Sequence, residues 1–258
     1  MFIDKYPNFT TGRVLKHEML NLIRDYPREY VDILYSDYAD GIIAGCGLTV
    51  NSETITIAPG IVRFRGKHFT LAEKTALPYT ATGQDTITKI HFGKAKESGD
   101  YFIHQGEIIS TPGLKIAENE LELCRFRLKI GARLRDIYQD FADLGTEYDT
   151  VNIINVSYAA PGEPTISPVI TRRFAQEAFN YRPVHPFDYV FISQCAQGAP
   201  VARMLITAYT AARLGVVTTD STNQDIHRHL TRILDDLRHG KDMVTAGGRG
   251  VGRRILVD

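Results

Sequence analysis

Tryptophan is missing from all 258 residues, and only three cysteines occur. No apolar run approaches the ~20 residues that a membrane-spanning helix needs. Each absence excludes something. Without tryptophan the chain lacks the side chain most suited to stacking on sugar rings. Cys46, Cys124 and Cys195 are odd in number, far apart and outside any CxxC pattern, so they read as reduced core thiols and not as a disulfide framework or a zinc site. Charge of one sign is lacking too: 30 basic residues balance 30 acidic ones, so no overall field recruits nucleic acid or an anionic membrane. The opening MFIDKYPNFTTGR places Asp4 and Pro7 where a signal peptide keeps an apolar stretch, which points to a protein made in the cytoplasm.

Among what is present, Asp40 to Leu71 is the most informative stretch. Val50, Ile55 and Ile57 alternate with polar residues, Asn51-Ser52 supplies a turn, and Pro59-Gly60 fits the centre of a type II turn. Val62 and Phe64 then alternate with Arg63 and Arg65 before Gly66-Lys67 turns the chain into Phe69 and Leu71. This spells a β-meander in which each strand has one apolar and one wet face. Further strands are expected at 86–92, 101–110 and 121–128, with the charged 94–100 as an exposed hairpin loop. In the last of these strands the alternation does not say which face is buried.

Helical signals flank this region. From Thr11 to Tyr26, Leu15, Met19, Leu22, Ile23 and Tyr26 form one amphipathic stripe, which Thr11 caps and Pro27 stops or kinks. A second run from Arg28 carries Val31, Leu34, Tyr35 and Tyr38. After Tyr158, AAPGEPTISP reads as a linker or boundary. Ser167-Pro168 then opens a helix through Phe179, and 200–214 makes another that Gly215 stops. A third has Ser221 and Gln224 as capping box and Ile226, Leu230, Ile233 and Leu237 as its stripe. The expected fold class is α+β: N-terminal helices over 1–40, an antiparallel β-sandwich or partly open barrel over 41–158, a helical domain over 159–240, and a flexible arm over 241–258.

Candidate chemistry is thin. GGRGVG at 247–252 has six residues after it, too few for the helix a phosphate loop needs, and no GxxxxGK[ST] occurs, so no cofactor is expected. His227 and His229 lie two apart on a helix, point in different directions, and read as a solvated face, not a metal pair. His68, His91 and His104 sit on separate strands, with no ligand spacing. Asp136, Asp140, Asp143, Glu147 and Asp149 make one acidic stretch, from which a glycosidase carboxylate pair is conceivable but for which a solvated or docking face is the simpler meaning.

The meander, the preceding YPNFTTGRVLKHEMLNLIRDYPREYVDILYSDYADGII, NELELCRFRLKIGARLRD (119–136) and TEYDTVNIINVSYAAPG (146–162) together resemble the baseplate and tail-fibre-attachment proteins of prophages and phage-tail-like bacteriocins of Gram-positive bacteria. The resemblance covers about the first two thirds of the chain and carries no catalytic signature. It implies a non-enzymatic virion component, made in the bacterial cytoplasm and carried in a tail or tail-like particle. Its implied partners are other tail or baseplate proteins, the tail fibre and further copies of itself, with no nucleic acid and no membrane insertion. A polysaccharide-degrading tail enzyme and a tail-assembly chaperone are the alternatives. Candidate interaction residues are Leu15, Met19, Leu22 and Tyr26 on the first stripe, and Arg249, Arg253, Arg254, Ile255, Leu256 and Val257 in the arm.

Overall fold

Two bent strands organise the β-region of the protein, whose computed structural model describes residues 2–183, 185–216 and 220–241. β1 (Gly41–Gly45) runs on through Cys46 and Gly47 into β2 (Leu48–Val50), and β3 (Thr54–Ile57) returns through Ala58 and Pro59 into β4 (Gly60–Phe64). β2 pairs with β3 and β1 with β4, both antiparallel, so one long hairpin is kinked midway. The kink is stitched by Cys46 N–H to the Pro59 carbonyl (3.1 Å) and Ala58 N–H to the Gly47 carbonyl (2.8 Å). It requires glycine: a Cβ on Gly60 would lie 2.4 Å from Cys46 Sγ, and one on Gly45, whose φ is +71°, would lie 2.1 Å from the Pro59 oxygen.

The kink sends each strand from one sheet to another, which is how corners of orthogonal sheet packings are made. β5 (Lys67–Leu71) completes a β1-β4-β5 sheet, and β6 (Thr75–Pro78) completes β2-β3-β6. The expected meander is therefore divided, and β3 and β4 are not neighbours. A third sheet has β7 (Asp85–Phe92) between β10 (Gly106–Pro112) and β11 (Glu120–Arg127). β8 (Lys96–Ser98) and β9 (Tyr101–Ile103) form a separate hairpin, so the strand expected over 101–110 is broken at His104 and Gln105. All named strand pairs are antiparallel, and the sheets do not close into a barrel.

β11 is buried on both faces. A bulge between Glu122 and Cys124 shifts the register, so that Leu121, Cys124 and Phe126 stand opposite Ile90, Thr88 and Thr86 on one face; Leu121 and Leu123 pack with Ile57, Val62 and Ile90, and Cys124 and Phe126 with Ile55 and Leu128. The bulge is why simple alternation does not identify its buried face.

At the other end, α2 (Pro168–Asn180), α3 (Pro186–Ala196), α4 (Arg203–Leu214) and α5 (Asn223–Arg238) bury Phe174, Phe191, Tyr209, Leu230 and Ile233 in one core. Ser167 caps α2 and left-handed Gly215 ends α4, as their sequences dictate. The α5 capping box is Thr222 with Asp225, one residue beyond the expected Ser221 and Gln224. Its stripe is core, with Ile226, Leu230, Ile233 and Leu237 all buried. α3 has no counterpart in the sequence reading. It carries Asp188, which is buried against Arg213 at 3.3 Å and accepts from Tyr209 Oη at 2.8 Å. The proline-rich 159–168 stretch is packed, not free: Ala159, Ala160 and Ile166 are buried, and Tyr158 exchanges backbone hydrogen bonds of 2.9 Å with Thr165. Cys46, Cys124 and Cys195 are free thiols, and burial pushes them up to about 11, 12 and 12.

Candidate assembly surface

A single helix, α1 (His17–Leu34), replaces the expected pair; Pro27 lies inside it. Proline removes one backbone donor and leaves the Ile23 carbonyl without its helical partner. No residue of α1 is buried, so water can take that carbonyl, and the helix runs on. Thr11 lies in a turn ahead of it, and Lys16 stands at the N-cap without a side-chain cap.

With about 3.6 residues per turn, Met19, Leu22, Ile23, Tyr26, Tyr30, Ile33 and Leu34 fall on one side of α1, and Glu18, Arg24, Asp25, Arg28, Glu29 and Asp32 fall on the other. A surface helix of this kind ordinarily turns its apolar side to the core. Here no side of α1 is buried. Contacts to the body come from Asp32, whose Oδ1 is 3.0 Å from His68 Nδ1, and from Tyr35, whose ring centroid lies 5.8 Å from that of His68. The apolar side stays open: Ile23 is 48% exposed, Tyr26 53%, Tyr30 60% and Ile33 75%. Ahead of the helix Phe2, Ile3, Tyr6, Phe9, Val14 and Leu15 are exposed as well. The tip of the β8–β9 hairpin adds Tyr101 and Phe102.

Of the interaction residues expected from sequence, Leu15 and Tyr26 are exposed, whereas Met19 and Leu22 are half-covered on the same stripe. Arg249, Arg253, Arg254, Ile255, Leu256 and Val257 lie outside the described residues. Sequence reasoning missed Tyr30 and Ile33, because treating Pro27 as a stop hides that they continue the stripe by steps of four and three from Tyr26. It also missed Tyr101 and Phe102, which a two-residue apolar tip after a charged loop signals only weakly.

The acidic stretch proves to be internal wiring. Asp143 takes a bidentate pair from Arg135 at 2.6 Å, together with the Gln139 N–H and the Thr146 hydroxyl. The guanidinium holds its carboxyl well below the usual carboxylate range. Asp136 accepts from Val50 N–H at 2.8 Å, Asp140 from Asp143 N–H at 2.9 Å, and Asp149 from Lys129 N–H at 2.9 Å, while Glu147 pairs with Arg127 at 2.6 Å. These carboxylates fasten irregular backbone to the sheets, and neither of the two described clefts has a pair of them in its wall.

Of the strand histidines, His68 and His104 line one cleft, and His91 stands apart from it. His91 faces Glu120 at 3.3 Å, and His104 lies between β9 and β10. No three His, Cys, Asp or Glu side chains converge to hold a metal among the described residues. His227 is not solvated as expected: it is buried, stacks on Phe141 at 4.8 Å, and places Nε2 3.1 Å from the Phe141 carbonyl. No described helix is long and apolar enough to cross a membrane.

No protein-family model matches the chain, and comparison with curated proteins finds no match. Among solved structures the chain is similar to TssK, with 10% identity and a TM-score of 0.39 over 93% of this chain and 70% of that one.

Proposed function

We propose that this protein is a structural component of a phage-like tail, a baseplate or tail-fibre adaptor that acts by subunit assembly. The observation that carries the proposal is the open apolar side of α1, an 18-residue helix with no buried residue. Exposed apolar surface of this extent is rare on soluble monomers and marks surfaces that another subunit covers. Burying Ile23, Tyr26, Tyr30 and Ile33 against a neighbour yields about 1.5–3 kcal/mol for each side chain fully covered, before the costs of association. The resemblance of the first two thirds of the chain to baseplate and tail-fibre-attachment proteins supplies the kind of assembly. The acidic stretch supports the same reading, because its carboxylates are engaged in holding the fold.

Mass spectrometry of purified tail or tail-like particles tests the proposal. The protein is expected in the finished particle, and an Ile23→Glu/Tyr30→Glu chain is expected to be made but left out. Finding the wild-type chain in cells but never in particles contradicts it.

A further inference from the structure

Along the open side of α1 the apolar residues recur with a fixed beat. Met19, Ile23, Tyr26, Tyr30 and Ile33 follow one another by steps of four, three, four and three, so that each falls at an a or d position of two successive heptads. This is the spacing that seats side chains between those of another helix. The seam is about 21 Å long at 1.5 Å of rise per residue. Ile23, Tyr26, Tyr30 and Ile33 on it are about half to three quarters exposed, and Met19 is half-covered.

Charge beside the seam selects the helix that fits it. Residues flanking such a seam ordinarily carry the charges that choose a partner. Here Leu20, Pro27 and Leu34 flank it on one edge, and Leu22 and Glu29 on the other, so nothing calls for an acidic or a basic neighbour. Nothing repels a copy either. Glu29 meets Leu34 of the second copy where the two helices run parallel, and Leu22 of the second copy where they run antiparallel, while Arg24, Asp25, Arg28 and Asp32 lie off the seam. Two heptads are too short to hold together helices that must also form from the unfolded chain. In this protein α1 already stands on the folded body, with Asp32 at His68, so pairing does not have to nucleate it. We propose that α1 packs against the α1 of a second copy of this chain along Met19, Ile23, Tyr26, Tyr30 and Ile33. This inference rests on the assembly reading in taking α1 as the covered surface, and goes beyond it by naming what covers it.

Tyr26 is the middle of the five seam residues, so it faces Tyr26 of the second copy in either helix direction. Tyr26→Cys is therefore the probe, and Arg24→Cys, on the other side of the helix, is its control. No residue of α1 is buried and all three native thiols are, so neither variant disturbs the core and the background of linkage is low. Facing seam positions bring two cysteines within the ~4.4–6.8 Å between Cα atoms that a disulfide needs, and positions on the far sides of two paired helices do not. The full chain of each variant is oxidised mildly, alone and within purified tail particles, and disulfide-linked dimer is measured on a non-reducing gel. Tyr26→Cys is expected to give at least tenfold more dimer than Arg24→Cys in at least one of the two samples. Equal yields from the two variants, or no dimer from Tyr26→Cys in either sample, overturn the proposal. If the wild type is then still present in particles, another tail protein covers α1 and the assembly reading stands. A dimer specific to Tyr26→Cys, from a chain that never enters particles, upholds the pairing and ends the tail reading instead.

Discussion

At Gly60 the chain has room for a hydrogen and nothing larger, since Cys46 N and Sγ stand 2.5 and 2.4 Å from where a Cβ would be. Gly60→Ala is expected to cost about 1–3 kcal/mol of stability by forcing the two bent strands apart. Gly47, two residues beyond Gly45 and with nothing near its Cβ position, is the control, and Gly47→Ala should stay within about 0.5 kcal/mol. Urea midpoints of the two variants compare them directly. The strand register makes a sharper pair. Ile57 is fully buried and Thr56 only partly so. Ile57→Asp should remove about 5 kcal/mol or more and unfold the protein, whereas Thr56→Asp should leave a cooperative thermal transition. Similar behaviour of the two would mean that the register is wrong. Titration gives a third test. Burial holds the His227 imidazole below its ordinary value of 6.5, despite the Phe141 carbonyl, which raises it. The unfolded chain then binds the extra proton first, so stability is full above about pH 6.5 and falls as pH drops below it. Asp143, also depressed, adds a second loss below about pH 4, once unfolded carboxylates begin to protonate. His227→Gln should reduce the first fall to the share left by His229, which burial also lowers, and leave the second, as followed by unfolding free energy against pH.

Among the elements, α5 shows how far local signals reach and where they slip. Its stripe, its end and its capping chemistry are readable from residues 221–240, but two adjacent hydroxyl residues, Ser221 and Thr222, each stand three before a polar side chain. Backbone geometry decides for Thr222, which accepts from Asp225 N–H at 3.1 Å while the Asp225 carboxylate takes the Thr222 N–H at 3.0 Å. Thr222→Ala is expected to cost about 1 kcal/mol, and Gln224→Ala less than about 0.5 kcal/mol, in thermal or urea unfolding. α2 and α4 were legible for the same reason, a cap or stop placed beside a periodic stripe. α3 was not, because its apolar residues run around it: Phe187, Val190, Phe191 and Ile192 do not form one stripe, and its buried Asp188 breaks the pattern for the sake of Arg213. The two N-terminal helices merged into one because the rule that proline stops a helix assumes a carbonyl with nowhere else to bond. The division of the meander was invisible too, since pairing partners across sheets depend on the Gly45 and Gly60 contacts and not on alternation. Of the candidate surface, Leu15, Met19, Leu22 and Tyr26 were legible, while its full length depended on α1 continuing through Pro27.

For the whole molecule, the helical core of α2 to α5 and the cores of the sheets are filled from within, and α1 meets the body through Asp32 at His68. Zero net formal charge gives no long-range repulsion to keep copies or neighbours apart. The apolar residues that α1 leaves open are the surface on which the proposed assembly depends. The direct test is the solution mass by light scattering of the wild type and of Ile23→Glu/Tyr30→Glu, each alone and mixed with the neighbouring tail proteins. The account predicts that the wild type exceeds the 28.9 kDa of one chain in at least one of the two samples. The variant should remain at one chain in both with an unchanged thermal transition. A wild type that stays at 28.9 kDa in both samples, or a variant that assembles as the wild type does, would contradict it.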